Sequence, residues 1–238
     1  MRVLVVIPAY NEELNIVNTV NKLIKYNKKS KNVIDYIVIN DGSTDNTKEV
    51  CEKNNFKVVN LINNLGIGGA VQTGYKYAYM NNYDVAIQFD GDGQHDENYI
   101  DNLVEEIERG YDFVIGSRFV EELSKFKSTC TRRFGIKILS LVIKLCTKTK
   151  IYDPTSGFRA ANRDIVKLFA ENYPTEYPEP ETTVKLLKKG YKVKEIPVEM
   201  HEREFGTSSI KPIKSVYYMF CVVISIIITS ISGGRNHG

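Results

Sequence analysis

Short apolar runs alternate with amphipathic stretches through the first half of this 238-residue chain, and no other feature constrains the fold as strongly. Residues 2–7, 33–40, 56–60, 83–89 and 111–116 are rich in β-branched and aromatic side chains, as strands are. Between them, residues 12–26, 45–54, 68–80 and 98–109 carry apolar side chains at helical spacing. A strand covered on both faces loses the in–out alternation of a half-solvated sheet and reads as one apolar run. With a helix in each connection, the pattern predicts an α/β fold with a mostly parallel sheet, helices on both faces and right-handed crossovers. The length suits one large domain, and 42% apolar residues suffice for its core. The 26% of charged residues excludes a disordered composition, and a net charge of +3 is too small to imply a nucleic-acid partner.

In such sheets, ligands gather outside the carboxyl ends of the strands. Four successive strand ends here carry polar, glycine-punctuated clusters: residues 8–12, 40–45, 90–96 and 116–118. All four would face one crevice. Asp90 and Asp92, one glycine apart after a buried strand, can converge on a hard cation with Gln94 as a third oxygen donor. Mg²⁺ or Mn²⁺ accepts such a sparse protein set and completes its shell with phosphate oxygens and water. The alternative is an Asp-rich turn that satisfies its own backbone.

Tyr10 and Glu12, flanked by Pro8 and Asn11, offer a ring and a carboxylate suited to a nucleoside. Asp41 can accept from base or ribose donors, while Thr44 or Asp45 can cap the following helix. The glycine-rich helix start at 64–70, with Gly68, could let a ligand approach the backbone. It lacks the lysine of a P-loop and the register of a dinucleotide fingerprint.

The segments PAYNE (8–12), DGSTD (41–45), NLGIGGA (64–70), FDGDGQHD (89–96), GSRF (116–119) and DPTSGFRA (153–160) resemble, in order and spacing, glycosyltransferase family 2. The likeness is strongest to the dolichol-phosphate mannosyltransferase and polyprenyl-phosphate glycosyltransferase branch. It implies the nucleotide-diphosphosugar transferase (A-type) fold, a UDP- or GDP-sugar donor, and inversion at the anomeric carbon. By position it implies that Pro8, Tyr10, Glu12 and Asp41 bind the nucleoside and that Asp90, Asp92 and Gln94 hold the metal. Arg118, at the fifth strand end, joins the donor side, and Arg203 matches an arginine on a loop that closes over the diphosphate. Ile67 stands where related enzymes often carry lysine.

The acceptor decides whether a base is needed. A polyprenyl phosphate is already ionised near neutral pH, whereas a saccharide hydroxyl must lose a proton. Asp153 matches the acceptor-side motif and is the first candidate base, with Glu179 and Glu181 as rivals; the two glutamates also suit a helix N-terminus. Ser156 belongs to the same motif, and Arg159 would contact an acceptor phosphate or pair with Asp153. A nucleotidyltransferase and a non-catalytic nucleotide-sugar-binding subunit are further readings of the same sheet.

Membrane association is read independently of these motifs. Lys125, Lys127, Arg132, Arg133, Lys137, Lys144, Lys148 and Lys150 form a basic stretch without an acidic residue, interleaved with Phe134, Ile136, Ile138, Leu139, Val142, Ile143 and Leu145. Arg132 and Arg133 are candidate acceptor contacts. Such a helix suits an anionic leaflet. Residues 215–232 are uncharged and just reach spanning length. This tail can be a single span, an interfacial helix, or a helix packed on a small membrane protein or a second copy of the chain. The expected division is a catalytic domain over 1–212 and an apolar, membrane-associated segment over 213–238. Cys51, Cys130, Cys146 and Cys221 form no metal-binding or disulfide pattern, which suits a reducing compartment. With an N-terminus wrongly flanked for a signal peptide, the expected location is the cytoplasmic face of the cell membrane.

Overall fold

The computed structural model describes residues 1–120, 130–201 and 212–232. The first half alternates as expected: β1 (Arg2–Ala9), α1 (Ile16–Asn27), β2 (Val33–Asn40), α2 (Thr47–Lys53), β3 (Val58–Asn60), α3 (Gly66–Met80), β4 (Val85–Gln88), α4 (Ile100–Glu108) and β5 (Phe113–Ser117). The second half adds α5 (Cys130–Thr147), β6 (Arg159–Asn162), α6 (Arg163–Glu171), α7 (Pro178–Lys188), β7 (Val193–Pro197) and α8 (Pro212–Ser232).

These strands form one seven-stranded sheet in the order β3-β2-β1-β4-β6-β5-β7. Only β6 runs antiparallel to its neighbours, β4 and β5. It is the strand the periodicity does not reveal, because Arg159-Ala160-Ala161-Asn162 is short and carries no β-branched residue.

Period-two alternation splits β1 between two cores. Leu4 and Val6 pack with buried residues of α3, α5, α6, α7 and α8. Val3, Val5 and Ile7 pack on the other face with residues of α1 and α4. The result is a three-layer sandwich. From β1 the chain winds outward to β2 and β3, then returns to place β4 on the other flank of β1. That reversal opens a crevice at the carboxyl ends of β1 and β4, where this architecture binds ligands.

The tail is packed rather than detached. Val222 and Ile226 of α8 lie in the same core as the sheet. Ser225 Oγ donates to the Glu181 carboxylate on α7. The opposite side of α8 exposes Phe220, Ile224, Ile227, Ile228 and Ile231. On α5, Phe134, Ile138, Leu141 and Leu145 are exposed likewise, beside exposed Arg133, Lys137, Lys144 and Lys148. Among the described residues, no helix is long and apolar enough to cross a membrane.

Candidate active site

The first wall of the crevice is built from the ends of β1 and β2. Tyr10 is 47% exposed just beyond β1, available for stacking. Asn11 adopts a left-handed backbone, φ 57°. Its side-chain oxygen accepts from the Thr44 and Asp45 backbone N–H groups at 2.8 and 3.3 Å. The Asn11 N–H in turn donates to Ser43 Oγ at 3.0 Å. Asn11 therefore clamps the two strand ends together. The Glu12 N–H donates to Thr47 Oγ1 at 2.9 Å, and its carboxylate accepts from Asn15 Nδ2 at 2.7 Å. Asp45 accepts from the Thr47 N–H at 2.9 Å at the start of α2, although the N-cap position there is Asn46.

Asp41 is buried at the end of β2, with Oδ1 accepting from the Leu65 N–H at 2.7 Å. Burial raises its carboxyl above the ordinary value, against the opposing backbone N–H groups of Leu65 and Gly66. Its first task is thus to hold the start of α3. Two expected ligand contacts turn out to be packing positions. Pro8 is buried inside β1, and its carbonyl lies 3.0 Å from where a Gly91 Cβ would stand. A Cβ on Gly68 would lie 2.4 Å from the Pro174 carbonyl oxygen, so Gly68 admits the 174–175 backbone rather than a ligand.

The second wall is the Asp90–Gln94 turn after β4. It is anchored through Thr19 Oγ1, which donates to the Gly91 carbonyl at 3.2 Å. Asp90 is gripped from three directions. His95 Nε2 lies 3.1 Å from Oδ2, and Gln88 Nε2 lies 3.4 Å from Oδ1. Gly157 forms the third side: a Cβ there would stand 2.6 and 2.9 Å from the two carboxylate oxygens. Burial works against ionisation, but His95, Gln88 and the charge of Arg118 outweigh it and hold the Asp90 carboxyl below its ordinary value. Its side chain nevertheless remains 34% exposed. The Gln94 N–H donates to Asp92 Oδ1 at 3.1 Å, which curls the turn. The turn is also tied to the segment preceding Arg203, since the His201 N–H donates to the Gln94 carbonyl at 2.8 Å. Arg203 itself lies outside the described residues.

Among the described residues, no group of three or more His, Cys, Asp or Glu side chains is placed to hold a metal. Asp90, Asp92 and the Gln94 carboxamide instead make a sparse, all-oxygen set on one turn. That chemistry fits Mg²⁺ or Mn²⁺ sharing its shell with phosphate, and not a closed structural site.

The acceptor-side motif requires correction. Asp153 is fully buried in a bidentate ion pair, with Arg118 Nε and Nη2 each donating at 2.7 Å. The Arg118 backbone N–H adds a third bond at 3.1 Å. Burial alone would raise the Asp153 carboxyl, yet Arg118 and Thr155 hold it low. A buried carboxylate of depressed pKa that already accepts these bonds is a poor proton acceptor, so Asp153 is not placed to act as base. The Arg118 guanidinium is equally committed, and its charge reaches Asp90.

Arg159 neither faces an acceptor nor pairs with Asp153. It is buried, donating to the carbonyls of Pro154 at 2.8 Å and Glu179 at 2.6 Å, and also to Ser156. Ser156 Oγ donates to the Gly116 carbonyl at 2.6 Å, so it too is a loop-builder. Glu181 turns to α8 through Ser225, away from the crevice.

Glu179, in the first turn of α7, is the rival that remains. Burial raises its carboxyl, opposed by the charge of Arg159 and by nearby Gln88 and reinforced by the charge of Asp90. Arg133 is exposed on α5, and the Arg132 side chain lies outside the described residues. The partners of Asp90 escaped the sequence reading. His95 stood next to Gln94 in the motif as a visible signal, whereas Gln88 looked like an ordinary strand residue.

A family model for glycosyl transferase family 2 matches residues 4–169. The chain belongs to that family and is a glycosyltransferase. Its relatives include the UDP-N-acetylglucosamine–dolichyl-phosphate N-acetylglucosaminyltransferase of Methanococcus voltae, 32% identical over 70% of this chain and 71% of the relative. The undecaprenyl-phosphate mannosyltransferase of Micrococcus luteus is 28% identical over 87% of each chain. The mannosyl-3-phosphoglycerate synthase of Rubrobacter xylanophilus superposes with a TM-score of 0.74 at 16% identity, covering 100% of this chain and 76% of the other. The glucosyl-3-phosphoglycerate synthase of Mycobacterium tuberculosis, solved with Mn²⁺, UDP and phosphoglyceric acid, gives 0.69 at 16% identity, covering 100% and 80%. These likenesses establish the A-type glycosyltransferase fold.

Proposed function

We propose that this protein transfers a hexosyl group, with inversion, from a UDP- or GDP-sugar to a polyprenyl phosphate at the cytoplasmic membrane face. The observation that carries the acceptor assignment is the commitment of Asp153 to Arg118. With that carboxylate a poor proton acceptor, an acceptor that is already ionised suits the site. Relatives named for dolichyl phosphate and undecaprenyl phosphate support the same choice.

On the donor side, Tyr10, Asn11, Glu12 and Asp41 would receive the nucleoside, and Asp90, Asp92 and Gln94 would hold Mg²⁺ or Mn²⁺. The structural neighbour solved with Mn²⁺ and UDP supports a divalent ion. When bound, such an ion neutralises charge growing on the diphosphate leaving group. A phosphate oxygen of the acceptor forms the new bond to the anomeric carbon as the bond to the diphosphate breaks. The nucleoside diphosphate departs with that electron pair. Arg203 would add positive charge there. The basic, apolar face of α5 and the apolar face of α8 would rest on an anionic leaflet, where each nearby cation of α5 contributes roughly 1 kcal/mol.

The raised Glu179 carboxyl beside Asp90 favours a second reading, with a saccharide hydroxyl as acceptor and Glu179 as base. Incubation with labelled UDP- and GDP-sugars, Mn²⁺ and polyprenyl phosphate, followed by organic extraction, separates the two. Label in the lipid extract is expected. Label found solely in polymer would replace the first reading with the second.

A further inference from the structure

We propose that His95 is a positioning residue for the donor site, setting the rotamer of Asp90 so that this carboxylate meets a divalent cation already oriented. The proposal rests on the metal reading of the Asp90–Asp92 turn. His95 is 1% exposed. Its ring stacks on Phe158 at 5.0 Å with an interplanar angle of 27°, and Phe89 meets it at 5.3 Å and 66°. Nε2 contacts Asp90 Oδ2 at 3.1 Å, whereas Nδ1 is buried without a partner.

That asymmetry assigns the tautomer. A hydrogen on Nδ1 would be buried with nothing to accept it, while a hydrogen on Nε2 is received by a carboxylate. The pocket around the ring is otherwise aromatic, and a phenyl ring would fill it with no orphaned nitrogen. A histidine here is explained by the bond to Asp90.

The bond also has the geometry of a support. It holds Oδ2 from within the protein, Gln88 approaches Oδ1, and the bare Cα of Gly157 closes the third side. The carboxylate cannot swing into the core, and its exposed part faces the crevice. Groups that hydrogen-bond metal-ligating carboxylates orient them in this way, and losing one weakens metal affinity by about 10–100-fold.

The test measures Mn²⁺ binding by electron paramagnetic resonance, with UDP or GDP present, and does not require turnover. His95→Phe keeps the aromatic stack but removes the hydrogen, and is expected to weaken Mn²⁺ binding by about 10–100-fold. His95→Gln places an N–H at similar reach and is expected to recover most of that loss. In an Asp90→Ala background, His95→Phe should change Mn²⁺ affinity no further, because it acts through Asp90. If His95→Phe does not fold, His95→Asn, whose amide is too short to reach Asp90, takes its place against His95→Gln.

Wild-type affinity in the variant lacking the hydrogen overturns the proposal, as does an undiminished effect in the Asp90→Ala background. So does a loss that His95→Gln shares in full. A wild-type protein that binds no Mn²⁺ overturns the metal reading itself, and the proposal with it.

Discussion

Replacing Asp153 by alanine distinguishes a structural carboxylate from a catalytic one. Asp153 and Arg118 are both buried, joined by two side-chain bonds of 2.7 Å and a backbone bond of 3.1 Å. Removing one partner strands the guanidinium in a low-dielectric interior, and breaking such a pair costs about 3–5 kcal/mol. A domain of this size loses about 2–4 °C of melting temperature per kcal/mol, so Asp153→Ala should melt about 6–20 °C lower. The acid limb of stability should change as well. Asp153 has a depressed folded pKa, so its contribution is fully present above the unfolded value of about 3.9 and is lost as pH falls through the lower folded value. The variant should therefore show a shallower loss of stability on acidification. Differential scanning calorimetry from pH 7 down to pH 3 measures both effects. Unchanged melting and acid dependence together with abolished turnover would restore Asp153 as a base.

Three further outcomes are expected. Gly157→Ala, whose Cβ would stand 2.6 Å from Asp90 Oδ2, should displace the carboxylate and weaken Mn²⁺–nucleotide binding by about 10-fold or more, read by calorimetric titration with circular dichroism as the fold control. Arg159→Met should destabilise the protein by about 2–4 kcal/mol in urea unfolding, because it leaves the Pro154 and Ser156 carbonyls without their shared donor, while the Glu179 carbonyl keeps Thr182 and Thr183. Reversing Lys137, Lys144 and Lys148 to glutamate should abolish sedimentation with anionic vesicles while leaving nucleotide binding intact; unchanged sedimentation would remove α5 from the membrane-facing surface.

The proposed donor half of the site was legible in the sequence because its residues follow strands that periodicity locates. Asp41 and Asp90 needed only the rule that ligands gather at carboxyl strand ends. The acceptor half was not legible, since its partnerships depend on the antiparallel strand β6. Pairing Ile115 with Arg159 brings the exit of β5 beside the start of β6, and this places Arg118 against Asp153. In sequence, Arg159 looked like the nearer partner. Its side chain instead reaches the first turn of α7. The roles of His95 and Gly157 were hidden for the same reason: each acts on Asp90 across a fold that local spacing does not encode. The tail showed its apolarity plainly, but a uniformly apolar helix does not reveal which side packs on α5 and α7 and which remains exposed.

The Asp90–Gln94 turn is proposed to grip a nucleoside diphosphate through a divalent cation. Thermal melting with UDP and GDP, in Mn²⁺ and then in EDTA, tests it most directly. Nucleotide at 100 times its dissociation constant stabilises the folded state by about 2.7 kcal/mol, or about 5–11 °C for a domain of this size. That rise is expected for at least one nucleotide with Mn²⁺, and it should vanish in EDTA and in Asp92→Asn. An equal rise in EDTA, or an undiminished rise in Asp92→Asn, would show that the nucleotide binds without a metal on this turn.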